Sequence, residues 1–135
     1  MATIKLEIVT PEGKSYSEDV DMVTLDGGDG QMGILPQHMP LMTQLVAGEI
    51  HVRKDGKNIF LAVGDGFVQV TGEKISILTD MAIRAENVDE VKAEEARQRA
   101  EARLAEKLTE EETVTVEAVL ARATAQLKVK RRHKS

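Results

Sequence analysis

Every glycine and proline in this chain lies at or before Gly72. All ten Gly and all three Pro fall there, and the 63 residues that follow contain neither. Glycine reaches φ > 0 and proline fixes φ, so these residues mark turns. The first part of the chain can therefore reverse direction often. The second part suits long, uninterrupted helices. Charge divides the same way: 19 of the first 85 residues are charged (22 %), against 22 of the last 50 (44 %). Two different physical objects are joined.

The first object reads as many short strands. Ile4-Lys5-Leu6-Glu7-Ile8 alternates apolar and polar residues, the period of a half-buried strand. Pro11-Glu12-Gly13-Lys14 reads as a turn, with a short strand around Tyr16. Residues 20–25 make a second strong strand, and Gly27-Gly28-Asp29-Gly30 a tight loop. A short strand over 32–35 is closed by Pro36 and Pro40. Strands over 49–53 and 58–63 flank Lys54-Asp55-Gly56-Lys57, where Asp-Gly is a hairpin signal. Strands over 67–70 and 74–78 flank Thr71-Gly72-Glu73, and 81–84 adds a last strand. Eight to ten short strands without crossover helices predict an antiparallel sandwich or flattened barrel, with a core of Val, Ile, Leu and Met. The sandwich is expected over residues 1–85.

From Asn87 the apolar period becomes helical. Asn87 with Glu90 has capping-box spacing, and Ala93, Ala96, Ala100 and Leu104 form one stripe on a helix running to about Leu108. Thr109-Glu110-Glu111-Glu112 is another capping box. The β-branched run Thr113-Val114-Thr115-Val116 argues instead for a loop near 107–113, the reading preferred here. A second stripe follows at Val116, Leu120, Ala123 and Leu127. The basic end, Lys128 to Ser135, is expected to be frayed and solvated. The two helices make a hairpin over residues 86–135, so the fold class is α+β with segregated parts. Narrow Ala stripes bury little area, about 0.8 kcal/mol per CH2, so the hairpin needs the sandwich or another protein as partner. Permanent docking and a movable arm remain equal alternatives on these grounds.

Composition removes whole classes of chemistry. There is no Cys, hence no disulfide, thiolate metal site or cysteine nucleophile, and three His cannot build a histidine-rich metal cage. A net charge of −5 argues against nucleic acid as a partner. The longest apolar run, Ile59 to Val63, is far short of the ~20 residues of a membrane span, so no direct membrane insertion is expected, and no signal peptide is evident. No phosphate loop or His-Glu-x-x-His pair occurs. Residues 26–30 lack the alternating oxygen side chains of a calcium loop, and a plain turn is the better reading. His38 and His51 read as ordinary histidines. Arg99 and Arg103 share a helix face that Arg122 could join as a phosphate fork. The competing reading is a solvated face, with Arg97, Arg99 and Arg103 paired to Glu95, Glu101 and Glu106.

Four stretches together resemble a known family: Gly33-Ile34-Leu35-Pro36-Gln37-His38-Met39-Pro40-Leu41, Val63-Gly64-Asp65-Gly66-Phe67-Val68-Gln69-Val70, the opening Ile8-Val9-Thr10-Pro11-Glu12-Gly13, and Arg84-Ala85-Glu86-Asn87-Val88-Asp89. They resemble the epsilon subunit of bacterial rotary, proton-translocating ATP synthases, in order and over the full chain. The resemblance implies a ten-stranded sandwich with a helix hairpin, in a non-catalytic central-stalk subunit. It implies a gamma subunit and a c-subunit ring as partners, met around Gly30, Gln31, Met32 and His38. The place implied is peripheral, on the cytoplasmic side of the cell membrane. It also implies a hairpin that extends towards the alpha and beta catalytic subunits and blocks ATP hydrolysis, with Arg122, Lys128, Lys130, Arg131 and Arg132 as inhibitory contacts.

Some relatives bind ATP on the hairpin through an aliphatic-Asp-x-x-Arg-Ala motif. This chain reads Val88-Asp89-Glu90-Val91-Lys92-Ala93, with Lys92 in place of Arg. Arg99 and Arg122 match further basic positions of that site, and Gln126 stands where tight binders have Arg. Lysine lacks the bidentate fork. ATP is thus expected as a weak regulatory ligand or not at all, with no cofactor required. The alternative role is a stand-alone ATP-sensing module using Asp89, Lys92, Arg99 and Arg122.

Overall fold

The computed structural model describes residues 2–28, 30–37 and 39–133. Its described strands are β1 (Ile4–Thr10), β2 (Gly13–Val20), β3 (Met22–Gly27), β4 (Gly30–Ile34), β5 (Leu41–Leu45), β6 (Gly48–Lys54), β7 (Lys57–Val63), β8 (Gly66–Val70), β9 (Lys74–Thr79) and β10 (Ala82–Arg84). A 3-10 turn over Ala85–Asn87 leads into helices α1 (Glu90–Leu104) and α2 (Glu110–Arg132).

The strands form one hydrogen-bonded path, β10-β7-β6-β3-β5-β8-β9-β1-β2, with β4 on the side of β3. Neighbouring strands are antiparallel except β1 and β9, which pair in parallel from Lys5 opposite Lys74 to Val9 opposite Leu78. The antiparallel sandwich expected from the hairpins thus holds with one parallel seam. That seam follows from topology: the first strand joins strands made some 70 residues later, a pairing no local turn announces. The path curls so that its ends approach. Lys54, at the end of β6, is ion-paired with Glu18 on β2, and the Arg84 guanidinium of β10 lies 5.5 Å from the centre of the Tyr16 ring of β2. The Lys54 ammonium holds the Glu18 carboxyl below its ordinary value, while burial pushes the Tyr16 phenol up.

Inside sit the alternate residues of each strand. Leu6, Ile8, Val20, Val23, Ile50, Val52, Leu61, Val63, Val68, Ile75 and Ile77 belong to one aliphatic core, almost fully closed to solvent. The turns fit their chemistry. Asp55 (φ 51°) and Gly56 (φ 74°) join β6 to β7 in the left-handed region that a two-residue hairpin requires. Gly66 is needed for a different reason: a Cβ there would lie 1.8 Å from the Leu78 carbonyl oxygen of β9. This close approach lets β8 and β9 pair tightly.

Several boundaries differ from expectation. The strand read over 20–25 is split, because the backbone turns at Asp21 between β2 and β3, and β2 is a full eight-residue strand. Strand β5 was not read at all. Helix α1 starts two residues later than Asn87: Asp89 is its N-cap and accepts a 3.1 Å hydrogen bond from the Lys92 backbone N–H. Helix α1 also ends at Leu104 rather than near Leu108. The loop expected over 107–113 is present but lies over 105–109, because the Thr109 capping box forms and α2 begins at Glu110. Thr113 and Thr115 donate their hydroxyls to the carbonyls of Thr109 and Glu111, four residues back, so the β-branched run is accommodated within the helix.

Candidate functional site: two outer faces of the sandwich

The outward residues of β7 and β10 point away from the main core. Phe60 and Ala62 from β7, with Ile83 from β10, meet Ala125 and Val129 of α2 and Ala85 of the 3-10 turn. Strand β7 is therefore covered on both faces, which explains its unbroken apolar sequence Ile59 to Val63. That run was the available signal for this docking face. The closed contacts are small: the buried members of the cluster are three alanines and one valine. A cleft of about 830 Å3, reached by Asp26, Glu49, Leu120 and Lys128, separates α2 from the sandwich along one flank.

Polar contacts complete the docking. Arg122 Nη1 lies 3.0 Å from Asp80 Oδ2, beyond the end of β9. Gln126 Nε2 approaches Met81 Sδ at 2.8 Å, and Lys130 Nζ donates to the Glu86 carbonyl at 3.4 Å. Arg132 Nη1 is 3.6 Å from Glu49 Oε2. At the last turn His133 is neither frayed nor fully solvated, contrary to expectation. Its ring stacks on Phe60 at a centroid distance of 3.5 Å and its Nε2 is 2.5 Å from Glu49 Oε1. His51 stacks on Phe60 at 4.7 Å and bonds Asn58 Oδ1 at 2.9 Å, as an ordinary satisfied histidine.

Helix α1 packs on α2 through Ala93 and Ala100, both buried, facing Val116, Ala123 and Leu127. Its outer face is the charged one: Arg97 pairs with Glu94 and with Glu101 (2.6 Å), and Arg103 with Glu106 (3.3 Å) and Glu112 (3.4 Å). The hydrogen bond from Arg97 lowers the Glu94 carboxyl to about 2. Arg131 also reaches Glu90 at 3.4 Å and Glu94 at 3.2 Å, tying α2 to α1.

The residues of the ATP motif have the following places. Val88 is buried just after the 3-10 turn, Asp89 serves as the helix cap, Ala93 faces α2, and the Lys92 side chain is exposed. Arg99 is exposed and lines a cleft of about 400 Å3 between the helices with Ala96, Val116 and Val119. Arg122 is instead bound to Asp80. Of the basic residues expected to act at the catalytic subunits, Arg122, Lys130, Arg131 and Arg132 are all engaged inside the chain, while Lys128 is exposed.

A second outer face is left uncovered by the described residues. On the adjacent strands β5, β8 and β9 the outward side chains include Met42 (70 % exposed), Phe67 (63 %) and Leu78 (54 %). Phe67 sits directly opposite Leu78 in the β8–β9 register. Leu35 and Met39, on the β4–β5 connection, and Val46 extend this exposed apolar set. Exposed aliphatic and aromatic groups grouped on neighbouring strands mark an interaction surface. Sequence reading missed it because these positions look like core residues of strands. Gly30 and Gln31 are exposed on β4, whereas Met32 is half-buried against the core. His38 lies outside the described residues.

Comparisons with known proteins agree with this architecture. The model of the delta/epsilon chain β-sandwich domain of ATP synthase matches residues 3–85, and that of its long α-helix domain matches residues 86–131. The ATP synthase epsilon chain of Herpetosiphon aurantiacus is 43 % identical over 126 residues, covering 93 % of each chain. That of Bacillus subtilis is 43 % identical over 104 residues, covering 77 % of this chain and 79 % of the relative. A chain of the Euglena gracilis mitochondrial ATP synthase OSCP/F1/c-ring structure superposes with a TM-score of 0.75 at 25 % identity, covering 93 % of this chain and 79 % of that one. With both parts matched in order over nearly its whole length, the chain belongs to the delta/epsilon chain family of ATP synthase.

Proposed function

We propose that the chain couples proton flow to ATP synthesis as a rotor subunit of the central stalk, and that its hairpin acts as a brake on ATP hydrolysis. Membership in the family makes it a non-catalytic stalk subunit of ATP synthase. In this reading the uncovered Met42-Phe67-Leu78 face docks the gamma subunit, and the β3–β4 tip around Gly30, Gln31, Met32 and His38 meets the c-subunit ring. The protein then sits peripherally on the cytoplasmic side of the cell membrane. Among the described residues no helix is long and apolar enough to cross a membrane.

The observation that carries the brake is the way the hairpin is held. Its closed contacts with the sandwich are alanines and one valine, reinforced by half-exposed ion pairs. Each such pair contributes about 0–1 kcal/mol, and Phe60, Met81 and Ile83 are only partly buried there, so a competing partner surface can offset the cost of release. Arg122, Lys130, Arg131 and Arg132 are self-satisfied while docked. On release from the sandwich Arg122, Lys130 and Arg132 become free, with Lys128, to meet acidic segments of the alpha and beta subunits, and Arg131 follows when α2 parts from α1. Deleting residues 86–135 tests this in the assembled enzyme. Assembly should persist and ATP hydrolysis should rise; unchanged hydrolysis would remove the brake from the account.

ATP belongs to this reading as a weak ligand of the docked hairpin or none. Lys92 lacks the fork, Gln126 is turned to Met81, and Arg122 would have to leave Asp80. Calorimetric titration of the full chain with Mg-ATP should show no saturation at micromolar concentrations. Micromolar saturation would favour the ATP-sensing alternative, which failure to co-purify with gamma would support further.

A further inference from the structure

We infer that the three-ring stack His51–Phe60–His133, closed by Glu49, is a proton-responsive latch that tightens the docked hairpin as pH falls. The inference rests on the proposed movable hairpin and concerns what sets its balance. Helix α2 ends at Arg132, and His133 follows immediately beyond it. Its ring lies parallel to Phe60 within 9°, and Phe60 stacks on its other side against His51 at an interplanar angle of 16°. Undocking the hairpin must pull His133 off Phe60 and away from Glu49, on strands β7 and β6.

The charges around His133 decide the sign. From β6, Glu49 contacts Nε2 directly at 2.5 Å, while His51 stands across Phe60. From the β6–β7 turn, Lys54, Asp55 and Lys57 line the same cavity of about 850 Å3. Lys54 is already held by Glu18, and Lys57 is exposed to screening solvent. From β10 and the 3-10 turn come Arg84 and Glu86, paired with each other at 3.7 Å. From α2 itself, Lys130 is turned to the Glu86 carbonyl, and Arg132 shares Glu49 at 3.6 Å.

Among the described residues, the charged group in direct contact with the imidazole is thus a carboxylate. A proton on His133 converts that contact into an ion pair and adds a cation over the face of Phe60. Neither gain exists once the hairpin leaves. The contact with Glu49 and Phe60 therefore favours the docked hairpin when the imidazole carries a proton, and favours it less when the ring is neutral. The open cavity gives the ring access to solvent protons. Acidification would hold the arm on the sandwich, and alkaline pH would loosen it.

The test uses the full chain with spin labels on Glu12→Cys and Glu106→Cys, both exposed, in a sequence with no native cysteine. Distance distributions measured between pH 8 and pH 6 should show the docked-to-undocked ratio rising about fivefold, the scale of one partly exposed ion pair. His133→Phe, which keeps the stack without the proton, should give a ratio independent of pH. His51→Gln should keep the wild-type response. A flat wild-type profile, a His133→Phe variant that titrates like wild type, or a response lost in His51→Gln would each overturn the latch. The brake is read separately, by hydrolysis in the assembled enzyme, so failure of one is distinguishable from failure of the other.

Discussion

The chain has two phenylalanines, and they sit on two outer faces of one sandwich with different fates. Phe60, on β7, is stacked between two histidines under the end of α2, in a face closed by alanines and a valine. Phe67, on β8, stands 63 % exposed beside Met42 and Leu78, uncovered by the other described residues. The difference shows how one small scaffold could carry, in the proposed reading, a reversible contact and a durable one. On the hairpin face Phe60, Met81 and Ile83 are only partly buried and the ion pairs are half exposed, so in the proposed reading that face is the easier one to leave. Large apolar side chains left bare make the other face costly to leave once a partner covers it, at about 25 cal/mol per Å2 of buried apolar surface.

The largest effect that can break this comparison is on partner binding. Phe67→Asp puts a charge in the centre of the bare face and should weaken association with gamma about 100-fold, about 2.7 kcal/mol. Because the residue is exposed, urea unfolding of the free chain should move by less than about 0.5 kcal/mol. Equal binding by wild type and variant would place the gamma contact elsewhere. Gly66→Ala should act differently, costing about 3 kcal/mol in urea unfolding, because the new Cβ meets backbone of β9.

On the hairpin face, Val129→Asp buries a charge at a position 1 % exposed. The hairpin should leave rather than the sandwich unfold. Limited proteolysis is expected to cut α2 while residues 1–85 stay intact; simultaneous loss of both parts would mean that they form one cooperative unit. A smaller effect tests the hairpin alone: Thr109→Ala removes the capping box and should cost the helices about 1 kcal/mol, read by thermal loss of helical circular dichroism.

Acid should act more weakly still. Glu94, held at about 2 by Arg97 against an ordinary 4.5, stabilises the hairpin above pH 4.5 and loses that contribution as pH falls towards 2. Because the pair is half-buried at the surface and still reached by solvent, the change in helical signal should be modest and reduced by salt. A salt-independent acid transition would contradict the surface assignment.

What could be read beforehand follows from where the physics is local. Asp55-Gly56 announces its hairpin because the turn needs positive φ at both positions. The Ala93–Ala100 and Val116–Leu127 stripes announce the helices because period 3.6 is a property of a single segment. Strand β5 was hidden, since its outward Met42 breaks the alternation that identifies a half-buried strand. Asn87 and Asp89 are both good caps, and only packing of the 3-10 turn selects the second. The bare face is composed of residues that also build cores, so its exposure depends on long-range strand order. His133 is one basic residue among many at the terminus. Only the approach of β6 and β7, more than 70 residues earlier in the chain, distinguishes it.

The central claim is that hairpin and sandwich are held with unequal strength, and native-state hydrogen exchange of the full chain measures it most directly. The account predicts that amides of α1 and α2 exchange through an opening of lower free energy than those of β1, β6 and β9, which exchange only with global unfolding. Exchange of both parts in a single step, with one common free energy, would contradict it.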